Sequence, residues 1–272
     1  MIQLKSEHLS KTALENISLE EIQSKLLSDG FFIIKDLIPK KTVEKLKIFW
    51  AKEFKEQSKS RPDTKSIRGN LHFGERDFDS YSDNAEWNIF RTFSFFWNES
   101  KSREHKITKE IASEVNGLRN LIEEEDVSRG ITFDEAGYGV YLSVSHYPPS
   151  TGFLKFHSDG HPVKGFLLQY MININHKNLD YSDGGLYVKK DGKDIDVDAM
   201  LEPGSVLFFD GALEHGVNPV RSKDEIGRMA FFAIPTYFVS NSDVPDLVRT
   251  IEKIYLGIKR RFSKKKPSSH LK

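Results

Sequence analysis

Hydrophobic positions change their period near residue 137, and the change divides the chain into two kinds of element. Before it, apolar residues recur at helical spacing. Ser18-Leu19-Glu20-Glu21 has capping-box spacing, with Ser18 as N-cap, and predicts a short helix running to about Ser28 before Asp29-Gly30. Phe31–Ile34 reads as a buried strand. Pro39 then opens a second helix, in which Val43, Leu46, Trp50 and Phe54 share one face. Trp87, Phe90, Phe93, Phe96 and Trp97 predict a helix over 84–97. Ile107, Ile111, Val115, Leu118 and Ile122 mark another over about 103–125. Residues 1–17 are polar and read as a loosely docked lead. Residues 57–83 are polar and aperiodic; they read as a long loop and a candidate lid, with Arg61, Arg68, His72 and Arg76 among its charged groups.

From Gly137 the runs shorten and are punctuated by Gly, Pro, Asn and Asp. Strands are predicted at 138–147, 153–158, 165–175, 185–189, 194–198, 205–210, 215–219 and 228–238. Eight strands at this spacing predict a mainly β fold with flanking helices. A jelly roll is the economical solution, with the N-terminal helices packed on one sheet. Gly184-Gly185 reads as a tight turn before a strand, not a phosphate loop, because no P-loop lysine accompanies it. The expected organisation is a single domain over 1–272. It comprises a mostly helical part at 18–135, a β core at 137–239, and a helix with a basic tail at 240–272.

Composition narrows the chemistry. The 272 residues include no cysteine, which removes disulfides, zinc–thiolate sites, iron–sulfur clusters and cysteine nucleophiles together. With no apolar run of membrane-spanning length and no secretory h-region, a cytoplasmic location is expected. Forty basic residues balance forty acidic ones, so no nucleic-acid partner is predicted. Basic residues do cluster from Lys253 onward, a solvated helix end or a candidate contact with an anionic surface.

The candidate site lies in the β part. His157 and Asp159 stand one residue apart in FLKFHSDG, and residues i and i+2 of a strand share a face. His215 follows in FFDGALEHGVNPV, at the start of a strand that a jelly roll can return beside the first. Two imidazoles and one carboxylate are the ligand set of the facial triad that holds a non-haem Fe(II) and leaves positions open for substrate chemistry. Arg228 opens the apolar strand Met229–Ile234, thirteen residues after His215. A buried guanidinium requires an anion, and the free carboxylate of 2-oxoglutarate would supply one; a structural Asp or Glu is the alternative. His161, Asn218 and one of Gln169 and Tyr170 are secondary candidates for lining the pocket, and His146 is expected to be structural.

These residues, with SHYPPSTGFLKFHSDG, EPGSVLFFDGALEHGVNPV and GRMAFFAIPTYF around them, resemble the Fe(II)/2-oxoglutarate-dependent dioxygenases over about residues 137–239. The prolyl-hydroxylase-like and phytanoyl-CoA-hydroxylase-like branches are the most similar. The helical lead LLSDGFFIIKDLIPKKTVEKLKIFW also looks like the start of such proteins. The resemblance implies a double-stranded β-helix, with His157, Asp159 and His215 as iron ligands. It implies Arg228 as the partner of the distal 2-oxoglutarate carboxylate and Tyr147, ten residues before His157, as a cosubstrate-binding tyrosine. Here Tyr147 is followed by Pro-Pro-Ser-Thr-Gly, where the family pattern is Y-x-x-G. Related halogenases carry Gly or Ala where Asp159 stands, so the resemblance implies hydroxylation or another C–H oxidation, with Fe(II), 2-oxoglutarate and O2 taking part; a small-molecule substrate is expected, with carrier-bound molecules and protein side chains left open. Two other classes are compatible with the pattern: a cupin-like metal enzyme that does not use 2-oxoglutarate, against which Arg228 and the H-x-D spacing argue, and a non-catalytic jelly-roll binding module, against which three intact ligands argue.

Overall fold

The computed structural model describes residues 6–57, 74–76, 87–88, 90–94, 102–129, 138–150, 152–159, 168–222 and 226–237. Most of the candidate lid at 57–83, His161 and the basic tail lie outside these residues. The helical lead forms α1 (Lys11–Glu15), α2 (Leu19–Asp29) and, after strand β1 (Phe31–Ile34), α3 (Lys40–Gln57). The Ser18 hydroxyl accepts the Glu21 amide, and Gly30 closes α2 in the left-handed conformation, so both ends of α2 fall where the capping signals put them. Residues 6–17 are better anchored than their polarity suggested. Leu9 and Leu14 are buried, and the Glu114 carboxylate on α4 (Arg103–Ile122) accepts from Ser6 Oγ and from the amides of Glu7 and His8.

One predicted element is of the wrong kind. In place of a helix over 84–97, the chain forms β3 (Trp87–Asn88) and β4 (Phe90–Ser94), and β2 (Gly74–Arg76) lies within the expected loop. A short aromatic run does not reveal its period, and aromatic residues suit strands as well as helices. Here the edges of the β core decide: β4 pairs with β5 (Tyr138–Tyr147), β2 with β4, and β3 with β6 (Phe153–His157).

The other core strands are β7 (Leu168–Asn173), β8 (Asp183–Lys190), β9 (Lys193–Asp196), β10 (Val206–Asp210), β11 (His215–Arg221) and β12 (Arg228–Tyr237). Each of the eight predicted runs therefore holds a strand. They form two antiparallel sheets, ordered β1-β10-β7-β12-β5-β4-β2 and β3-β6-β11-β8-β9. Consecutive strands from β5 to β12 step from one sheet to the other, save the β8–β9 hairpin. That alternation is the wrapping of a double-stranded β-helix.

Among the described side chains, the strands β10, β7 and the adjoining parts of β12 and β5 are buried on both faces of the larger sheet. Val144, Leu168, Tyr170, Ile172, Val206, Phe208, Met229 and Phe231 pack with the helices, joining Ile22, Val43, Trp50 and Leu118 in one cluster. The alternate positions Tyr147, Met171, Leu207, Phe209 and Ala230 face the smaller sheet, whose Leu186, Val188 and Val217 meet them. This period of two sets which residues reach the interior. Among the described residues, no helix is long and apolar enough to cross a membrane.

Gly184 and Gly185 lie inside β8 rather than in a turn before it. Both have positive φ, and a β-carbon at Gly184 would lie 2.1 Å from the Pro219 carbonyl oxygen. Gly204 is held comparably, at φ +91° with the Ile38 carbonyl oxygen 2.3 Å from a built β-carbon. Gly204→Ala is expected to destabilise the fold by about 1–3 kcal/mol, read as a lower urea midpoint at unchanged m-value.

Candidate metal centre

The site begins with a strand pair. β6 and β11 run antiparallel with His157 directly opposite His215, and Val188 of β8 flanks His215 on its other side. Asp159 lies two residues past the end of β6, so strand geometry alone does not aim it. Its backbone amide donates to the Gly211 carbonyl at 2.8 Å, in the turn that leads into β11. The sequence brings together all three predicted ligands: donor atoms of His157, Asp159 and His215 lie within 4.8 Å of one another. The rings of His157 and His215 are 4.5 Å apart, and Asp159 places Oδ1 3.3 Å from His157 Nε2 and Oδ2 3.5 Å from His215 Nε2.

Both imidazoles are oriented by their own strands. His157 Nδ1 lies 2.9 Å from the Lys155 carbonyl oxygen and His215 Nδ1 2.8 Å from that of Leu213. A carbonyl only accepts, so each Nδ1 carries the proton and each Nε2 presents a lone pair to the centre. Two neutral nitrogens and one anionic oxygen suit a divalent first-row metal, Fe(II) in particular. Phe209 meets the His215 ring edge-on at 5.1 Å, walling one side.

Around the triad, strand parity sorts the secondary candidates. Gln169 turns inward and donates from Nε2 to Asp159 Oδ2 at 3.2 Å, whereas Tyr170 turns to the helices and donates to the Ala112 carbonyl. His146 is structural, as expected: it stacks on Phe54 and binds the Ile226 carbonyl through Nε2. Asn218 pairs through its backbone with Gly185, and its side chain makes no hydrogen bond among the described residues.

Arg228 and Tyr147 are register partners on β12 and β5, and the guanidinium lies 5.8 Å from the Tyr147 ring centre. Both are buried on the interior side. The anion that Arg228 requires is already present. Asp198, in the 3-10 turn Asp198–Met200, takes Nε at 2.5 Å and Nη2 at 3.0 Å. Asp198 also accepts from the Tyr181 hydroxyl and the Leu186 amide. Gly185 makes room for it, since a β-carbon there would fall 2.3 Å from Asp198 Oδ2. Sequence reading missed Asp198 and Tyr181. An aspartate and a tyrosine in a turn-rich stretch carry no period, and only the fold shows their common partner. Nε and Nη2 of Arg228 are taken by Asp198 and Met171, and Nη1 has no hydrogen-bond acceptor among the described residues. Burial pushes the phenols of Tyr147 and Tyr181 well above the usual tyrosine range, so both remain neutral donors.

The arrangement is a double-stranded β-helix with two imidazoles and a carboxylate gathered at one end and a buried arginine on the facing sheet. No family model and no curated protein matches the chain. Solved structures do. A prolyl hydroxylase of Trichoplax adhaerens, solved with a peptide of the hypoxia-inducible factor oxygen degradation domain, aligns with a TM-score of 0.52 at 15% identity, over 80% of this chain and 89% of its own. A prolyl-4-hydroxylase of Pseudomonas putida aligns at 0.50 and 14% identity, over 82% of this chain and 100% of its own. A 2OG-Fe(II) oxygenase family protein of Caulobacter crescentus aligns at 0.50 and 13%, over 79% and 80%. At these identities the likeness establishes the fold.

Removing the arginine's partner tests that network. Asp198→Asn leaves a buried guanidinium uncompensated and is expected to cost about 3–5 kcal/mol of stability in chemical denaturation. A variant within about 1 kcal/mol of wild type would show that the pair is not needed to keep Arg228 buried.

Proposed function

We propose that this chain is an Fe(II)- and 2-oxoglutarate-dependent oxygenase, in the first instance a hydroxylase of a small-molecule substrate. The observation that carries the reading is the pairing of His157 with His215, which turns both Nε2 atoms toward Asp159 with each Nδ1 tied to a carbonyl. His157, Asp159 and His215 would hold the metal, whose chemistry when bound is O2 activation coupled to decarboxylation of 2-oxoglutarate to succinate and oxidation of a substrate C–H bond.

The remaining residues bind, orient and exclude water. Nη1 of Arg228 and the neutral hydroxyl of Tyr147 are the donors we assign to the distal carboxylate of the cosubstrate. Asp198 fixes the guanidinium plane, so that edge arrives pre-oriented. Met171, Leu207, Phe209 and Val217 supply an apolar interior between the sheets, where a buried charge pair is poorly screened. Asp159 supports hydroxylation or a related oxidation over halogenation. The even charge balance gives no support to a nucleic-acid substrate. A cytoplasmic location is also proposed, and the cysteine-free composition fits a reducing compartment. The single-domain organisation over 1–272 also belongs to this reading.

Purified protein supplied with Fe(II), ascorbate and 2-oxoglutarate is expected to form succinate, faster when a true substrate is present. Alanine at His157, Asp159 or His215 should abolish both turnover and Mn(II) binding; wild-type turnover in His157→Ala would remove the assignment. Arg228→Lys keeps the charge but loses the planar fork. It should raise the dissociation constant for 2-oxoglutarate about tenfold or more, equivalent to about 1.4 kcal/mol. An unchanged constant would take Arg228 out of the cosubstrate site.

A further inference from the structure

Gln169 is fully buried, 0% exposed, on the interior face of β7. Among the described residues it makes one side-chain hydrogen bond, from Nε2 to Asp159 Oδ2 at 3.2 Å. Its Oε1 is buried and has no hydrogen-bond partner among the described residues. The orientation of the amide is not arbitrary: an ionised carboxylate only accepts, so nitrogen must face Asp159 and oxygen must face away. In register with Gln169 on β10 is Phe209, whose ring meets His215. The glutamine therefore touches one of the three candidate ligands, and its register partner touches a second.

A half-satisfied amide is a poor choice for a wall between sheets. Met171, the next inward residue of β7, is apolar, and a Leu or Met at 169 would leave no orphaned acceptor. The single bond that Gln169 does make must account for it, and that bond ends on Asp159. A carboxylate can donate to a metal through one oxygen or through both. Donation through both occupies an extra coordination position, whereas a facial triad keeps three open. A neutral N–H on Oδ2 opposes the two-oxygen mode without cancelling the carboxylate's charge. A lysine or arginine in the same place would compete with the metal for that charge.

We propose that Gln169 is a positioning residue of the metal centre, holding Asp159 by Oδ2 so that this ligand donates through Oδ1 alone. The inference rests on the reading of His157, Asp159 and His215 as a metal site.

The test uses metal alone on the full chain. Mn(II) affinity is measured from the paramagnetic resonance signal of the free ion, and ligand geometry from the visible absorption of the Co(II)-loaded protein. Gln169→Leu should weaken Mn(II) binding about 10–100-fold and change the Co(II) spectrum. Gln169→Asn, whose amide stops one methylene short of Asp159, should move both readouts in the same direction and serves if the leucine variant does not fold. Tyr170→Phe on the same strand removes a buried hydrogen bond on the opposite face. It should lower the melting temperature and leave both metal readouts unchanged. Wild-type affinity with an unaltered Co(II) spectrum in a folded Gln169 variant would overturn the proposal, as would a Tyr170→Phe effect as large as that of Gln169→Leu. Asp159→Ala separates the two levels. If it still binds Mn(II) at wild-type strength, the metal reading fails and this inference falls with it. If it loses binding while Gln169→Leu retains it, only the role of Gln169 is refuted.

Discussion

The antiparallel register of β6 and β11 is the constraint on which the site depends. It places His215 opposite His157, and a shift of one residue would send one of the two rings to the far side of the sheet. The register is over-determined locally. Gly216 admits the β6 backbone, since a β-carbon there would lie 2.9 Å from the Leu154 carbonyl oxygen. The Asp159 amide fastens the chain after β6 to Gly211 before β11. The third ligand is thus carried by the connection that the pairing creates, not by a strand of its own.

The facing sheet contributes through alternation. β7 is buried along its whole length, and its odd and even positions answer to different partners. Leu168, Tyr170 and Ile172 join the helix-side core, while Gln169 and Met171 face the interior. Helix α4 grips the start of this strand directly: Arg119 Nε donates to the Leu168 carbonyl, and Glu123 accepts the Leu168 amide. Packing on the outer face therefore sets the height at which Gln169 meets Asp159. This is one physical reason for the helical lead to be part of a fold whose chemistry lies on the other side of the sheet.

The sequence was most legible where a period could be counted. The α3 stripe of Val43, Leu46, Trp50 and Phe54, the capped α2 and the eight core strands were all readable from spacing. The three candidate ligands were readable because H-x-D and a distal histidine form a short, chemically restrictive pattern. Three kinds of information were not accessible. The aromatic run around Trp87–Ser94 had no decisive period, and the open edges of β5 and β6 determined its form. The face of Gln169 needed the strand's true phase. The Asp198–Arg228 pair joins a turn to a strand thirty residues later, and nothing local in either segment names the other. A buried arginine was foreseeable; which anion met it was not.

The alternation of strands between sheets also bears on how the protein is made. β5 pairs with β12 along its full length, so a strand synthesised early finds that partner only about eighty residues later. β7 likewise lies between β10 and β12. During synthesis these long apolar edges wait for the end of the β core to emerge, and few contacts within reach can close them sooner. An interrupted chain ending before Arg228 would present β5 and β7 as open templates for other strands. The same wrapping that gathers distant residues around one centre makes completion of the chain a condition for keeping it in solution.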